Sequence, residues 1–304
     1  MITVIICSIY PERCNRLLEN ISETIGTEYE TIVFDNRDAR WGLCRVYNHC
    51  AEKARFPCLC FMHEDLHFGT KNWGQKIIET MERISGCGVT GFAGGLQACK
   101  NFTSWWAGQT RMNVYDGFNG TNHADLKQNY THHHYANPDA EEFSKVLCVD
   151  GLFQCVRKSI WEEIKYDEDS FPGFHFYDVD FSFAVAEKYN NYVLLNFDVF
   201  HDSHGSRNLE YVQNMFIFQN KWKSKLPESI NNVLERGKNN TGKELREAFT
   251  AFKLCVKEHV SLKKYLMQIY RINRFGFFVL TLFYLPIKTI PELFRRTVKK
   301  YQRA

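Results

Sequence analysis

Apolar residues along this chain switch between two periods. Ile2 to Cys7 is a β-branched run that stops at Ser8, and Tyr10-Pro11-Glu12 reads as a turn and helix start. From Arg13 to Ile25, Leu17, Leu18, Ile21 and Ile25 recur at helical spacing. Tyr29 to Phe34 is strand-like again and ends at Asp35-Asn36, and helix is predicted from Leu43 to about Ala54. Cys58-Leu59-Cys60-Phe61-Met62 is a short, unbroken apolar run that halts at His63-Glu64-Asp65. Such a run fits a strand covered on both faces of a parallel sheet. Helix follows over Trp73 to Ile84, and strand character over Val89 to Gly95, Val146 to Arg157 and Tyr192 to Phe200. Strands alternating with helices across short connections predict an α/β fold: a doubly wound, mixed but mainly parallel sheet with helices on both faces.

Between Leu96 and Lys145 the pattern is less regular. Trp105-Trp106-Ala107-Gly108 and Tyr115-Asp116-Gly117-Phe118-Asn119-Gly120 read as loops carrying exposed aromatics. His132-His133-His134 is expected to be a solvated loop, since consecutive side chains on regular structure do not point to one centre. Beyond Arg207 the chain turns helical from Asn208 to Lys225, polar from Pro227 to Gly242, and helical from Lys243 to Tyr270. The predicted division is a main domain at 1–225 and a helical C-terminal region at 226–304. Phe275 to Leu285 is apolar but well short of the roughly 20 residues that span a bilayer. Basic residues flank it at Arg271, Arg274 and Lys288, then at Arg295, Arg296, Lys299, Lys300 and Arg303. Segment 271–304 therefore suits a helix lying on an anionic membrane surface, or alternatively one packed on the core or a second subunit.

Composition narrows the classes. With 304 residues and 25 Phe, the chain can bury a large core and is neither disordered nor repetitive. A net charge of +3 gives no case for nucleic acid as a partner. The eleven cysteines are scattered through apolar segments with no Cys-x-x-Cys pair, which argues against zinc ribbons and thiol redox chemistry. The first residues begin a strand with no charged leader, so the expected location is the reducing cytoplasm, with the tail bringing the chain to the inner face of the membrane.

The candidate chemistry lies at strand ends. Right-handed crossovers put Ser8, Asp35 and Glu64-Asp65 on one sheet edge, the edge where open α/β sheets bind ligands. Neither a dinucleotide fingerprint nor a phosphate loop follows the first strand, so phosphate would be held by a metal and by side chains. Two carboxylates together with His63 are hard and borderline donors that suit magnesium or manganese, ions that bridge protein to a diphosphate; they could equally cap the next helix or sit solvated in a loop. A second acidic pair, Asp178 and Asp180, opens a helix after the Gly-rich aromatic turn Phe171-Pro172-Gly173-Phe174-His175-Phe176. Carboxylates there satisfy the helix dipole, or serve as a general base. A third group, His201-Asp202-Ser203-His204, follows a strand end.

Gly42-Leu43-Cys44-Arg45-Val46-Tyr47-Asn48 through Ala54, followed by the strand and His63-Glu64-Asp65, resembles an inverting family 2 glycosyltransferase of GT-A fold, up to about residue 210. The resemblance implies a GT-A-like domain that moves a sugar from a nucleotide-diphosphate sugar, UDP-sugar favoured, to a saccharide or lipid-linked saccharide with inversion. It implies Mn2+ or Mg2+ on Asp65 with His201 or His204, and nucleotide-sugar contacts from Ser8, Glu12, Asp35, Asn48, Glu64, Asp65 and Asp150. It places the base at Asp178, with Asp180 second. The exposed aromatics of the irregular region could stack on the sugar rings of an acceptor, or the tryptophans could instead close the sheet edge. Two positions depart from the family pattern: His63 fills the first acidic slot of the metal motif, and Tyr177 the first acid of the base pair. A nucleotidyltransferase on a similar sheet, or a catalytically silent scaffold, stays open on sequence alone.

Overall fold

The computed structural model describes residues 1–118, 127, 129–202, 207–230, 240–258, 260 and 267. The chain begins β1 (Ile2–Ser8), α1 (Pro11–Thr24), β2 (Tyr29–Asp35), α2 (Leu43–Lys53), β3 (Cys58–Met62), β4 (Leu66–Phe68) and α3 (Trp73–Arg83). It continues through β5 (Cys87–Gly91), β6 (Ala93–Gly95), β7 (Gln97–Ala98), β8 (Thr110–Phe118), β9 (Tyr130–Ala136), β10 (Phe143–Val146), β11 (Cys148–Val149), β12 (Phe153–Arg157) and α4 (Lys158–Glu163). Then come α5 (Tyr177–Ala186), β13 (Asn190–Leu194), β14 (Val199–His201), α6 (Leu209–Lys221), β15 (Glu228–Ser229) and α7 (Asn240–Lys257).

Among the described residues the main sheet has the order β10-β13-β5-β12-β3-β1-β2. The strands β1, β2 and β3 run parallel, as do β13 and β5, while β12 is antiparallel to β3 and β5, and β10 to β13. The sheet is mixed and mainly parallel, as predicted. Period two along each strand sends alternate residues to opposite layers. Ile5, Leu59 and Phe61 pack with α2, α4 and α5, whereas Ile2, Val4, Ile6, Cys60 and Met62 pack with α1 and α3. Every residue of β3 is therefore buried, which is why it reads as an unbroken apolar run. By contrast β2 is the edge strand and is half exposed.

A second sheet of order β11-β6-β8-β14-β4, with β9 paired to β8, stands against the first. Its presence corrects three expectations. Val89 to Gly95 is two strands, β5 and β6, in different sheets, and Tyr192 to Phe200 divides likewise into β13 and β14. Val146 to Arg157 breaks into β11 and β12 around the Asp150-Gly151 step. At Phe92 the apolar run passes from one buried sheet to the other with no polar interruption, so that break is silent in the hydropathy pattern, whereas the other two fall at Asp150-Gly151 and at Asn196-Phe197-Asp198. The His132-His133-His134 stretch is also no loop but the middle of β9, hairpin partner of β8. His133 stacks on Tyr115 with ring centroids 4.0 Å apart, and His132 and His134 turn to the other face. The expected membrane-surface segment 271–304 lies outside the described residues, among which no helix is long and apolar enough to cross a membrane.

Candidate active site

Three parallel strand ends and the entry to β12 meet on one edge. The register pairs Ser8 with Asp35 across β1 and β2, and Phe153 with Met62 across β12 and β3. Antiparallel β12 thus brings Asp150-Gly151-Leu152 beside His63, and the His63 N–H donates to the Leu152 carbonyl at 3.0 Å. The second sheet adds its own strand end: in β14, His201 faces Leu66 of β4 on one side and Asp116 of β8 on the other.

This convergence assembles a cluster of His63, Asp65 and His201, whose potential ligand atoms all lie within 4.8 Å of one another. Nε2 of His201 is 3.4 Å from Asp65 Oδ1, and Arg13 Nη1 is 3.5 Å from Asp65 Oδ2. Burial alone would raise the Asp65 carboxyl, but His201, then His63 and Arg13, hold it well below the usual carboxylate range. Burial likewise opposes charge on His201, yet Asp65 outweighs it and, helped by Asp150 and Asp116, raises the imidazole. For His63 burial wins over Asp65, and His201 adds to it, so its imidazole is lowered and neutral at pH 7. Nε2 of His201 is a buried polar atom with no hydrogen-bond partner. An orphaned imidazole nitrogen facing a carboxylate and a neutral histidine fits a divalent cation.

Beside the cluster opens a cavity of about 450 Å³, lined by His63, Asp150, Asp178 and His201 together with the aromatics Trp106 and Phe174, among others. Trp106 and Phe174 are 52% and 50% exposed, so much of each aromatic side chain is open to solvent. Trp105 instead donates its indole N–H to Asp150 Oδ2 at 2.8 Å, closing the wall. Arg207 lies over the Trp106 ring at 4.7 Å.

Asp178, in the first turn of α5, accepts the Gly151 N–H at 2.9 Å on Oδ2 and faces this cavity. Burial pushes its carboxyl up to about 7, the nearby charge of Asp150 adding to the shift against the opposing backbone N–H groups. Asp180, the other acid of the pair, is two residues on and turns away. It is 2% exposed and bound by Lys221 Nζ at 2.7 Å and Trp222 Nε1 at 2.8 Å, an ion pair tying α5 to α6.

The remaining predicted residues lie on the strand-end edge or on α1 and α2, outside the cavity wall. Glu64 accepts the Ser8 hydroxyl at 2.7 Å and the Ile9 and Tyr10 N–H groups at 3.0–3.2 Å, so the pair clamps the entry to α1. Asn48 is a buried amide whose Nδ2 donates to the Tyr166 carbonyl at 2.9 Å and whose Oδ1 accepts the Tyr166 N–H at 3.1 Å. Asp35 is exposed and paired with Arg37 at 2.6 Å, and Glu12 is exposed on α1. None of these lines the cavity, and His204 lies outside the described residues. Asp116, absent from the sequence-derived site residues, joins the site, and His63, read in the sequence as a donor with the two carboxylates but not carried over by the resemblance, enters it through the cluster. The signal for Asp116 was there in the period-two series Met112, Val114, Asp116, which sets a carboxylate among apolar residues on one face of β8. A further group, the thiols of Cys58, Cys60 and Cys155, lies inside the main sheet and off the cavity.

The sequence model of a glycosyltransferase-like family matches residues 1–222. No curated protein matches the chain. Among solved structures, the mannosyltransferase PcManGT from Pyrobaculum calidifontis in complex with GDP-Man and Mn2+ superposes with a TM-score of 0.50 at 10% identity, covering 84% of this chain and 75% of its own. GalNAc-T7 with UDP, GalNAc and Mn2+ gives a TM-score of 0.47 at 10% identity, covering 85% of this chain and 58% of its own. With its mixed sheet, its metal-ready strand end and this match over most of its length, the chain belongs to the glycosyltransferase-like family and is a glycosyltransferase of GT-A fold.

Proposed function

We propose that this enzyme transfers a sugar from a nucleoside-diphosphate sugar to an acceptor hydroxyl with inversion at the anomeric carbon, and that Asp178 is its general base. The observation that carries the reading is the Asp178 carboxyl itself, which faces the cavity and is raised to about 7. A base with a pKa near the working pH is unprotonated often enough to act and basic enough to take a proton. In the proposed step the acceptor oxygen bonds to the anomeric carbon while the bond to the diphosphate breaks. The hydroxyl proton passes to Asp178 and the bonding electrons leave with the diphosphate. Asp180 has no part in this chemistry, because its carboxylate is spent on Lys221 and Trp222.

His63, Asp65 and His201 would hold the divalent ion. Two imidazoles and one carboxylate favour Mn2+ over Mg2+, which prefers an all-oxygen shell. When bound, the ion supplies the positive charge that offsets the departing diphosphate. Manganese with a nucleotide sugar in the similarly folded PcManGT supports this assignment. The nucleotide would lie along the edge formed by Ser8 and Asp35, with UDP the favoured base. Trp106 and Phe174 would stack on the sugar faces of a saccharide acceptor, free or lipid-linked. Location in the cytoplasm is supported by eleven free thiols. The test is Asp178→Asn: donor binding by calorimetry stays as in the wild type while sugar transfer is lost. Normal turnover in that variant would remove Asp178 from the role.

A further inference from the structure

His201 is held between two carboxylates by strand register alone. Its Nε2 lies 3.4 Å from Asp65 Oδ1, and its Nδ1 lies 3.6 Å from Asp116 Oδ1. Both contacts are at ion-pair rather than hydrogen-bond distance. Nε2 of His201 and Oδ1 of Asp116 are also two of the few buried side-chain polar atoms without a hydrogen-bond partner. Neighbouring orphans of this kind, one on each of two paired strands, call for a shared explanation.

The chemistry supplies one. A neutral imidazole has one N–H and one lone pair, and whichever nitrogen binds a cation leaves its N–H on the other. If Nε2 is the ligand, the proton sits on Nδ1, and Asp116 Oδ1 is the acceptor facing it. Metal-bound histidines commonly donate their second N–H to a carboxylate, which fixes the tautomer, orients the ring and raises its basicity. The other Asp116 oxygen faces His134 Nε2 at 3.6 Å, on the side of β9 that lines the cavity.

We propose that Asp116 is a positioning residue for the metal site, holding His201 with Nδ1 protonated and Nε2 presented to the ion beside His63 and Asp65. This rests on the reading that the cluster binds a divalent cation. Asp116 touches neither the sugar nor the diphosphate in this account; it acts through His201.

The test is an electron paramagnetic resonance titration of free Mn2+ against the full chain, for wild type, Asp116→Ala and Asp116→Asn, with the melting temperature of each metal-free protein alongside. Removal of an outer-shell partner weakens metal binding by about 10- to 100-fold, and that is the loss expected for Asp116→Ala. Asp116→Asn keeps an oxygen for Nδ1–H and recovers part of the affinity, with melting temperatures unchanged throughout. Equal Mn2+ affinity in wild type and Asp116→Ala would overturn the proposal while leaving the metal site standing. Equal loss in both variants, together with lower melting temperatures, would reduce Asp116 to a structural role and also overturn it. A wild type that binds no Mn2+ would overturn the metal reading itself, and this inference with it.

Discussion

Nε2 of His63 lies 2.8 Å from the hydroxyl of Tyr177, so the two residues that depart from the family pattern are bonded to each other. The Tyr177 hydroxyl also donates to the Gly151 carbonyl at 2.8 Å. A hydroxyl carries a single proton, so with that proton given to Gly151 the histidine must be the donor in the first contact. His63 is then protonated on Nε2 and keeps its lone pair on Nδ1. The Gly151 N–H in turn holds Asp178, so a single residue, Gly151, links the His63–Tyr177 pair to the Asp178 carboxyl. Far from signalling a silent scaffold, the paired departures form a connected network. Tyr177→Phe deletes one hydroxyl and strands a buried carbonyl and an imidazole N–H, a loss of about 1–3 kcal/mol. Denaturant unfolding should register that loss, and a Mn2+ titration should show weaker binding. An unchanged stability and affinity would mean the contact has no energetic role.

Asp178 makes the pH dependence predictable. Its raised carboxyl is protonated below about 7, so kcat/KM should climb with pH through that value and level off above it. The stability effect has the opposite sense. A folded-state carboxyl raised above its unfolded value holds its proton more tightly in the native protein, which stabilises the fold below about pH 4. That contribution fades as pH rises from about 4 to 7 and is fully lost above. Chemical denaturation at pH 8 should therefore find Asp178→Asn more stable than wild type, by at most about 4 kcal/mol. A variant equally or less stable at that pH would contradict the buried, uncompensated charge.

Asp180 should behave as its neighbour's opposite. Asp180→Ala leaves Lys221 paired with Asp167 alone and strips the Trp222 indole N–H of its acceptor, loosening the α5–α6 junction at a stability cost of about 1–3 kcal/mol. Measured at a temperature where the variant is folded, kcat should stay near the wild-type value. A collapse of kcat with the fold intact would return Asp180 to the catalytic set.

Gly151 is the narrowest point of the network. A Cβ there would sit 2.1 Å from the Tyr177 oxygen and 2.9 Å from Asp178 Cβ, both too close to tolerate. Gly151→Ala must displace the tyrosine, the base or both, with an overpacking penalty of about 1–3 kcal/mol. Turnover should fall by at least about tenfold even where the protein is folded, as expected when a catalytic group is misplaced by a fraction of an ångström. Full activity in this variant would show that Asp178 need not be held where it is.

The elements that position the site were legible wherever one period ran its full length. Ile2 to Ser8 and Cys58 to Met62 end abruptly in polar residues, and those ends form the functional edge. Gly42 was legible as part of a motif, and the structure supplies its reason: a Cβ would lie 1.9 Å from the Pro172 carbonyl, where α2 meets the turn before α5. Asn48 shows the limit of pattern transfer. A buried amide that stitches α2 to the Tyr166 backbone and one that touches a nucleotide look alike in sequence. The second sheet was obscured because its strands are two to nine residues long and several follow main-sheet strands within one apolar run. Asp116 was missed with it, since a carboxylate on an unrecognised hairpin has no visible neighbour until β14 is laid beside β8.

The most direct measurement is isothermal titration of UDP, GDP and CDP into the full chain, with and without Mn2+, for wild type, Asp65→Ala and Asp178→Asn. One nucleoside diphosphate should bind wild type in a Mn2+-dependent manner, bind Asp178→Asn equally well, and fail to bind Asp65→Ala. Absence of binding by all three diphosphates in the presence of Mn2+, or binding indifferent to the loss of Asp65, would contradict a metal-assisted nucleotide-sugar transferase.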